Sequence, residues 1–77
     1  MRVSEQTVKE LIAKSLMVDI STIKNELAVG DIPEWDSLAH MRIIAALESD
    51  LGVALDIEQT LEIEDVEDIV DAVINNE

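Results

Sequence analysis

The stretch Trp35-Asp36-Ser37-Leu38-Ala39-His40-Met41-Arg42-Ile43-Ile44-Ala45-Ala46-Leu47-Glu48-Ser49-Asp50-Leu51-Gly52 governs the reading of the chain. Neither Pro nor Gly interrupts Ser37 to Leu51, and Ile43, Ile44, Leu47 and Leu51 recur at the spacing of one helical face. Asp36 is of the type that caps a helix N-terminus by accepting a backbone N–H, and Gly52 supplies the left-handed residue that ends one. A helix over Ser37 to Leu51 follows.

Upstream, Val8, Leu11, Ile12 and Leu16 repeat at helical spacing after Ser4, a capping residue, and predict a first helix from Glu5 to Met17. From Val18 to Asp36 the pattern dissolves into the separate apolar residues Ile20, Ile23, Leu27, Val29 and Ile32, punctuated by Gly30 and Pro33. This predicts a long ordered loop, anchored by those residues and with room for one short helical turn. Downstream, Asp56 suits the cap of a short third helix over Ile57 to Leu61. Val66, Ile69, Val70, Val73 and Ile74 form the apolar stripe of a fourth, ending before Asn75 and Asn76. No alternating strand pattern competes. The fold class is therefore all-α: a small four-helix bundle with a short third helix and a long first loop.

A length of 77 residues fits one domain, residues 1–77, and leaves no room for a separate catalytic domain with a walled active site. Apolar residues make up 48% of the chain but include one Trp and neither Phe nor Tyr, so the expected core has no stack of aromatic plates. The absence of Cys excludes disulfides, thiolate metal sites and cysteine nucleophiles, and suits a reducing, cytoplasmic setting. No apolar run reaches the roughly 18 to 20 residues of a membrane span, and the charges between Met1 and Lys14 are unlike a signal peptide. Eighteen acidic against five basic residues give a net charge of −13, which disfavours nucleic acid and anionic lipid and favours proteins with basic surfaces. Acidity of this kind also serves solubility alone.

Asp36-Ser37-Leu38 is where chemistry can be sought. At a helix start the backbone N–H groups lack partners and the dipole is positive, so a phosphate carried on Ser37 would be favoured there while its hydroxyl stays within an enzyme's reach. Taken alone, Asp-Ser before an apolar stretch marks the start of a helix and nothing more. The only histidine, His40, lies one turn beyond Ser37 with no evident orienting partner, so a Ser-His-Asp arrangement is not indicated. It reads as a partly buried packing residue, and Trp35 as an anchor for the end of the loop. Asp56, Glu58, Glu62, Glu64, Asp65, Glu67, Asp68 and Asp71 lack the Gly and periodicity of a calcium loop, so the run suits loose divalent binding and not a dedicated metal site.

With the long loop before it, the helix ending at Leu51-Gly52 after it, and the short and amphipathic helices beyond, Trp35-Asp36-Ser37-Leu38 resembles the acyl carrier protein family across essentially the whole chain. The resemblance implies a non-enzymatic carrier that receives 4'-phosphopantetheine from coenzyme A at Ser37, through a magnesium-dependent phosphopantetheinyl transferase whose recognition surface includes Asp36. The arm would end in a thiol holding acyl groups as thioesters, for presentation to acyl-loading and acyl-transferring enzymes. The tether raises the effective concentration of cargo at each docked enzyme. The carrier would act as a monomer, without nucleic acid or membrane insertion. The competing reading is an acidic helical adaptor that is never modified.

On a helical wheel the second helix divides into the core arc Ile43, Ile44, Leu47 and Leu51 and a second apolar arc, Leu38, Met41 and Ala45, beside Ser37. The wheel leaves open whether a small bundle buries both. Resemblance implies a partner-facing helix, with Leu38, Met41, Arg42, Ala45 and Glu48 as the docking residues. Carriers of primary fatty-acid synthesis usually present a nearly continuous acidic second helix, which Ala39, Arg42 and Ser49 interrupt here, leaving Glu48 and Asp50. The Gly-Gly-His/Asp-Ser pattern of peptidyl carriers is replaced by Glu34-Trp35-Asp36-Ser37. Similarity is greater to stand-alone carriers of specialised lipid, glycan or polyketide pathways.

Overall fold

A computed structural model describes residues 4–75. Among them the chain forms α1 (Glu5–Leu16), a 3₁₀ turn (Ile20–Thr22), α2 (Ser37–Leu51), α3 (Ile57–Glu62) and α4 (Val66–Asn75). This is the expected helical order, with the predicted turn inside the first loop. Residues Met1 to Val3 of the charged N-terminal stretch, and Asn76 at the expected stop of the last helix, lie outside the described residues.

Ser4 caps α1 by accepting the Thr7 N–H at 3.1 Å. The helix ends one residue before the expected Met17, because Met17 turns left-handed (φ 59°). Met17 N–H then reaches the Lys14 carbonyl at 3.2 Å and Val18 N–H the Ala13 carbonyl at 3.0 Å, the paired bonds of a Schellman stop made without glycine. Met17 is 88% exposed, so its side chain returns little for the left-handed backbone. Met17→Gly is expected to stabilise the fold by about 0.5 to 1 kcal/mol. A urea midpoint that fails to rise would count against this reading of the stop.

Asp36 caps α2, accepting Ala39 N–H at 2.8 Å, and Gly52 (φ 68°) closes it with N–H directed at the Glu48 and Leu47 carbonyls. Both caps are as the sequence predicts. Asp56 and Gln59 make a reciprocal capping box at α3, which runs one residue past the expected Leu61. Asn75 likewise falls inside α4 rather than after it. Asp19 caps the 3₁₀ turn, and its hydrogen bond from the Ser21 backbone holds its carboxyl below the ordinary range.

The core gathers Val8, Leu11, Ile12 and Leu16 of α1, Ile43, Ile44 and Leu47 of α2, and Val66, Ile69, Val70 and Val73 of α4, with Ile23, Trp35, Val53 and Ile63 closing it from the connections. α1 packs against both α2 and α4. Leu51, expected in the core arc, is only partly buried at the end of α2, whereas Ala39, read as an interruption of an acidic surface, is buried. Ala39 stands one turn before Ile43 on the inner face, where its small side chain lets α2 approach its neighbours. The long loop is tied down by an antiparallel bridge between Ala28 and Asp65. Val29 N–H donates to the Glu64 carbonyl and Val66 N–H to that of Leu27, each at 2.9 Å. This strap binds the loop to the head of α4.

One ion pair, Lys9 with Glu5 at 3.1 Å, occurs among the described residues. A net charge of −13 is thus nearly uncompensated, and self-repulsion should weaken the fold in dilute buffer. Added salt or millimolar magnesium is expected to raise the thermal midpoint by screening, most at the acidic α4. A midpoint indifferent to both would contradict this.

Candidate functional site

Ser37 is the first residue of α2 and is exposed. Because the Asp36 carboxylate already takes the Ala39 N–H, the Ser37 hydroxyl is not needed as a cap, and among the described residues it has no hydrogen-bond partner. The Ser37 and Leu38 N–H groups, in the first turn, lack intrahelical acceptors and point the positive end of the dipole outward. An accessible nucleophilic oxygen thus sits beside two free donors. A phosphodiester fits this position by charge and by geometry.

Leu38 and Met41 are 63% and 56% exposed, and Arg42, Ala45 and Glu48 are exposed with them. The structure leaves this arc to solvent, so the bundle buries only one of the two arcs on α2. The short α3 adds to the apolar surface, with no residue buried and with Ile57 and Leu61 at 78% and 76% exposure. Their i, i+4 spacing was the available signal, overlooked because so short a helix gives no periodicity to read.

Between α2 and α3 lies a hollow of about 530 Å³, lined by Ser37, His40 and Met41 of α2, Thr60 and Leu61 of α3, Ile63 and Glu64 beyond it, and Ala28 and Val29 of the strap. A smaller apolar recess of about 330 Å³ continues past Met41 and Leu61 toward Ile44, Leu55 and Ile57. The fold thus brings the strap beside Ser37.

His40 is partly buried, as expected, but it does have an orienting partner. Trp35 Nε1–H donates to His40 Nδ1 at 3.2 Å, the rings lying 24° from parallel with centroids 6.0 Å apart. Trp35 is fully buried and anchors the end of the loop. Burial pulls the His40 pKa below 6.5. An imidazole so placed has no free nitrogen to act as a base toward Ser37. Among the described residues no group of three His, Cys, Asp or Glu side chains is arranged to hold a metal ion, and no helix is long and apolar enough to cross a membrane.

An exposed serine heading a helix, beside free N–H donors and an apolar hollow, suits the attachment of a tethered group. The family model for the phosphopantetheine attachment site matches residues 6–73, and the chain belongs to that family, the phosphopantetheine-bearing carriers that include acyl carrier proteins. Its fold is similar to the solution structure of a holo acyl carrier protein from Geobacter metallireducens, with a TM-score of 0.83 and 24% identity over 94% of this chain and 83% of that one. The cofactor is covalent 4'-phosphopantetheine, and the reading as a never-modified adaptor gives way.

Proposed function

We propose that Ser37 bears the arm, that Asp36 belongs to the surface read by the phosphopantetheinyl transferase, and that the chain is one monomeric carrier domain over residues 1–77 with no catalysis of its own. The observation that carries this is the exposed, hydrogen-bond-free Ser37 hydroxyl at the head of a helix already capped by Asp36. When bound, the arm supplies the thiol that holds an acyl group as a thioester. The chain's own part is to keep the attachment point accessible, place the phosphodiester against the Ser37 and Leu38 N–H groups, and offer α2 to acyl-loading and acyl-transferring enzymes.

The docking face comprises Leu38, Met41, Arg42, Ala45 and Glu48. Its exposed apolar arc with one cation among so many acids supports partners in a specialised lipid, glycan or polyketide pathway, in a cytoplasmic setting. Partners of primary fatty-acid synthesis would seek a more continuous acidic face. Incubation with coenzyme A, magnesium and a broad-specificity transferase, followed by intact-mass and peptide mapping, tests the attachment. A single phosphopantetheinyl addition on the peptide containing Ser37 is expected. No addition, or addition elsewhere, would refute the assignment.

A further inference from the structure

Arg42 stands apart in the charge pattern of the chain. The basic residues are Arg2, Lys9, Lys14, Lys24 and Arg42, so it is the one cation after Lys24 in a chain of net charge −13. Lys9 pairs with Glu5, whereas the exposed Arg42 side chain makes neither an ion pair nor a hydrogen bond among the described residues. Its place on α2 explains this. The residues three and four away along the helix are Leu38, Ala39, Ala45 and Ala46, all apolar, so no carboxylate stands where an i, i+3 or i, i+4 pair would form. A guanidinium in a strongly acidic protein is thus kept free and framed by apolar surface.

Beside it the face has shape. The recess of about 330 Å³ next to Met41, lined also by Leu55, Ile57 and Leu61, has room for one apolar side chain, and Glu48 contributes a carboxylate to its lining. Arg42 and Glu48 lie six residues apart on α2, a rise of about 9 Å. A segment crossing the helix therefore meets a cation, an apolar socket and an anion within the length of two turns.

We infer that Arg42 is the specificity-determining residue of this face, taking a carboxylate from a docking enzyme whose contacting segment seats one apolar side chain in the recess and is basic opposite Glu48. The inference rests on the reading of α2 as the docking face and adds which partners that face admits. The overall charge draws any basic surface toward the chain and so does not discriminate among them. Arg42 does. A base opposite it is repelled at short range, and a neutral group leaves the guanidinium desolvated between apolar surfaces without a partner. A carboxylate accepts two of its N–H donors side by side, a geometry that a planar guanidinium offers and an ammonium does not.

The test uses the unmodified full chain, which keeps it independent of where the arm is attached, and three synthetic amphipathic helical peptides as probes. All three carry a Leu anchor and flanking Lys residues, and they differ at one position a turn away from the anchor, which is Glu, Gln or Lys. A compensating change at the far end keeps their net charge equal. Amide chemical shifts locate each peptide and yield its Kd. With the parent, shifts should centre on α2 and α3, and the Glu peptide should bind about three- to tenfold more tightly than the Gln peptide, the effect of an interfacial ion pair that is partly desolvated. The Lys peptide should bind most weakly. Arg42→Gln should erase this order and Arg42→Glu reverse it, while Met41→Ala should weaken all three peptides and preserve it. Equal or tighter binding of the Lys peptide by the parent, or an unchanged order in Arg42→Glu, overturns the role of Arg42 and leaves the docking face standing. Shifts confined to other surfaces, or no saturable shift, as for a recess that takes only an acyl chain, overturn both. The order of the three peptides on the parent decides the matter even if a variant fails to fold.

Discussion

Ser37→Ala is expected to abolish phosphopantetheinylation completely while leaving the melting curve almost where it was. Chemical loss and structural loss separate because two adjacent residues divide the work. Asp36 provides the capping carboxylate, bonded to Ala39 N–H at 2.8 Å, while the Ser37 hydroxyl makes no hydrogen bond among the described residues. Alanine is also the better helix former, so the stability change should stay within about 0.5 kcal/mol. Modification, in contrast, needs an oxygen nucleophile on that Cβ. Circular dichroism with intact-mass measurement reads both sides of the experiment. Modification of the variant, or an arm found on Ser21 or Ser49 of the parent, would remove the central assignment.

Leu47→Ala and Met41→Ala should part in the opposite manner, although both shorten an apolar side chain on the same helix. Leu47 is fully buried in the core, so truncation leaves a cavity and is expected to cost about 2 to 5 kcal/mol. On a domain as small as this, such a loss approaches the whole margin of stability. Met41 is 56% exposed and its truncation should cost less than about 1 kcal/mol in the free protein. Docking is where Met41 should matter if the proposed docking face is right, since an exposed side chain there becomes fully buried only in the complex. A five- to tenfold fall in partner-dependent kcat/KM, roughly the size of a modest interface contribution, is expected for Met41→Ala with its native loading enzyme. Equal destabilisation of the two variants in urea would show that the Met41 arc belongs to the core.

The helices were legible because their signals are local. Ser4, Asp36, Gly52 and Asp56 each mark a terminus through chemistry confined to one turn, and the stripes of α1, α2 and α4 repeat often enough to point inward. The place of Ser37 at an exposed helix head, after a capping aspartate, was legible for the same reason. The departures arise where a position is settled by what lies across the fold. Met17 leaves its helix because the backbone has carbonyls to satisfy, not because methionine favours the left-handed region. Ala39 is silent in a hydropathy pattern, yet it is buried, one turn before Ile43 on the inner face of α2. The strap joins Leu27 to Val66, and no period in the sequence links them. The hollow beside Ser37 depends on that strap and on α3, so only its α2 wall could be anticipated.

Trp35 is the sole aromatic residue among Phe, Tyr and Trp in the chain, and it is fully buried with its indole hydrogen-bonded to His40. Optically, the protein is therefore a single-site instrument. Its near-ultraviolet absorbance and dichroism and its intrinsic fluorescence all originate from one indole at the junction of the long loop with α2, with no tyrosine background. Emission should be shifted to the blue of free tryptophan and shielded from iodide. An imidazolium at His40 would quench it, so a titration of brightness follows one proton at one joint. An enzyme docking on α2 or cargo resting beside Ser37 would register in the same signal, without a label.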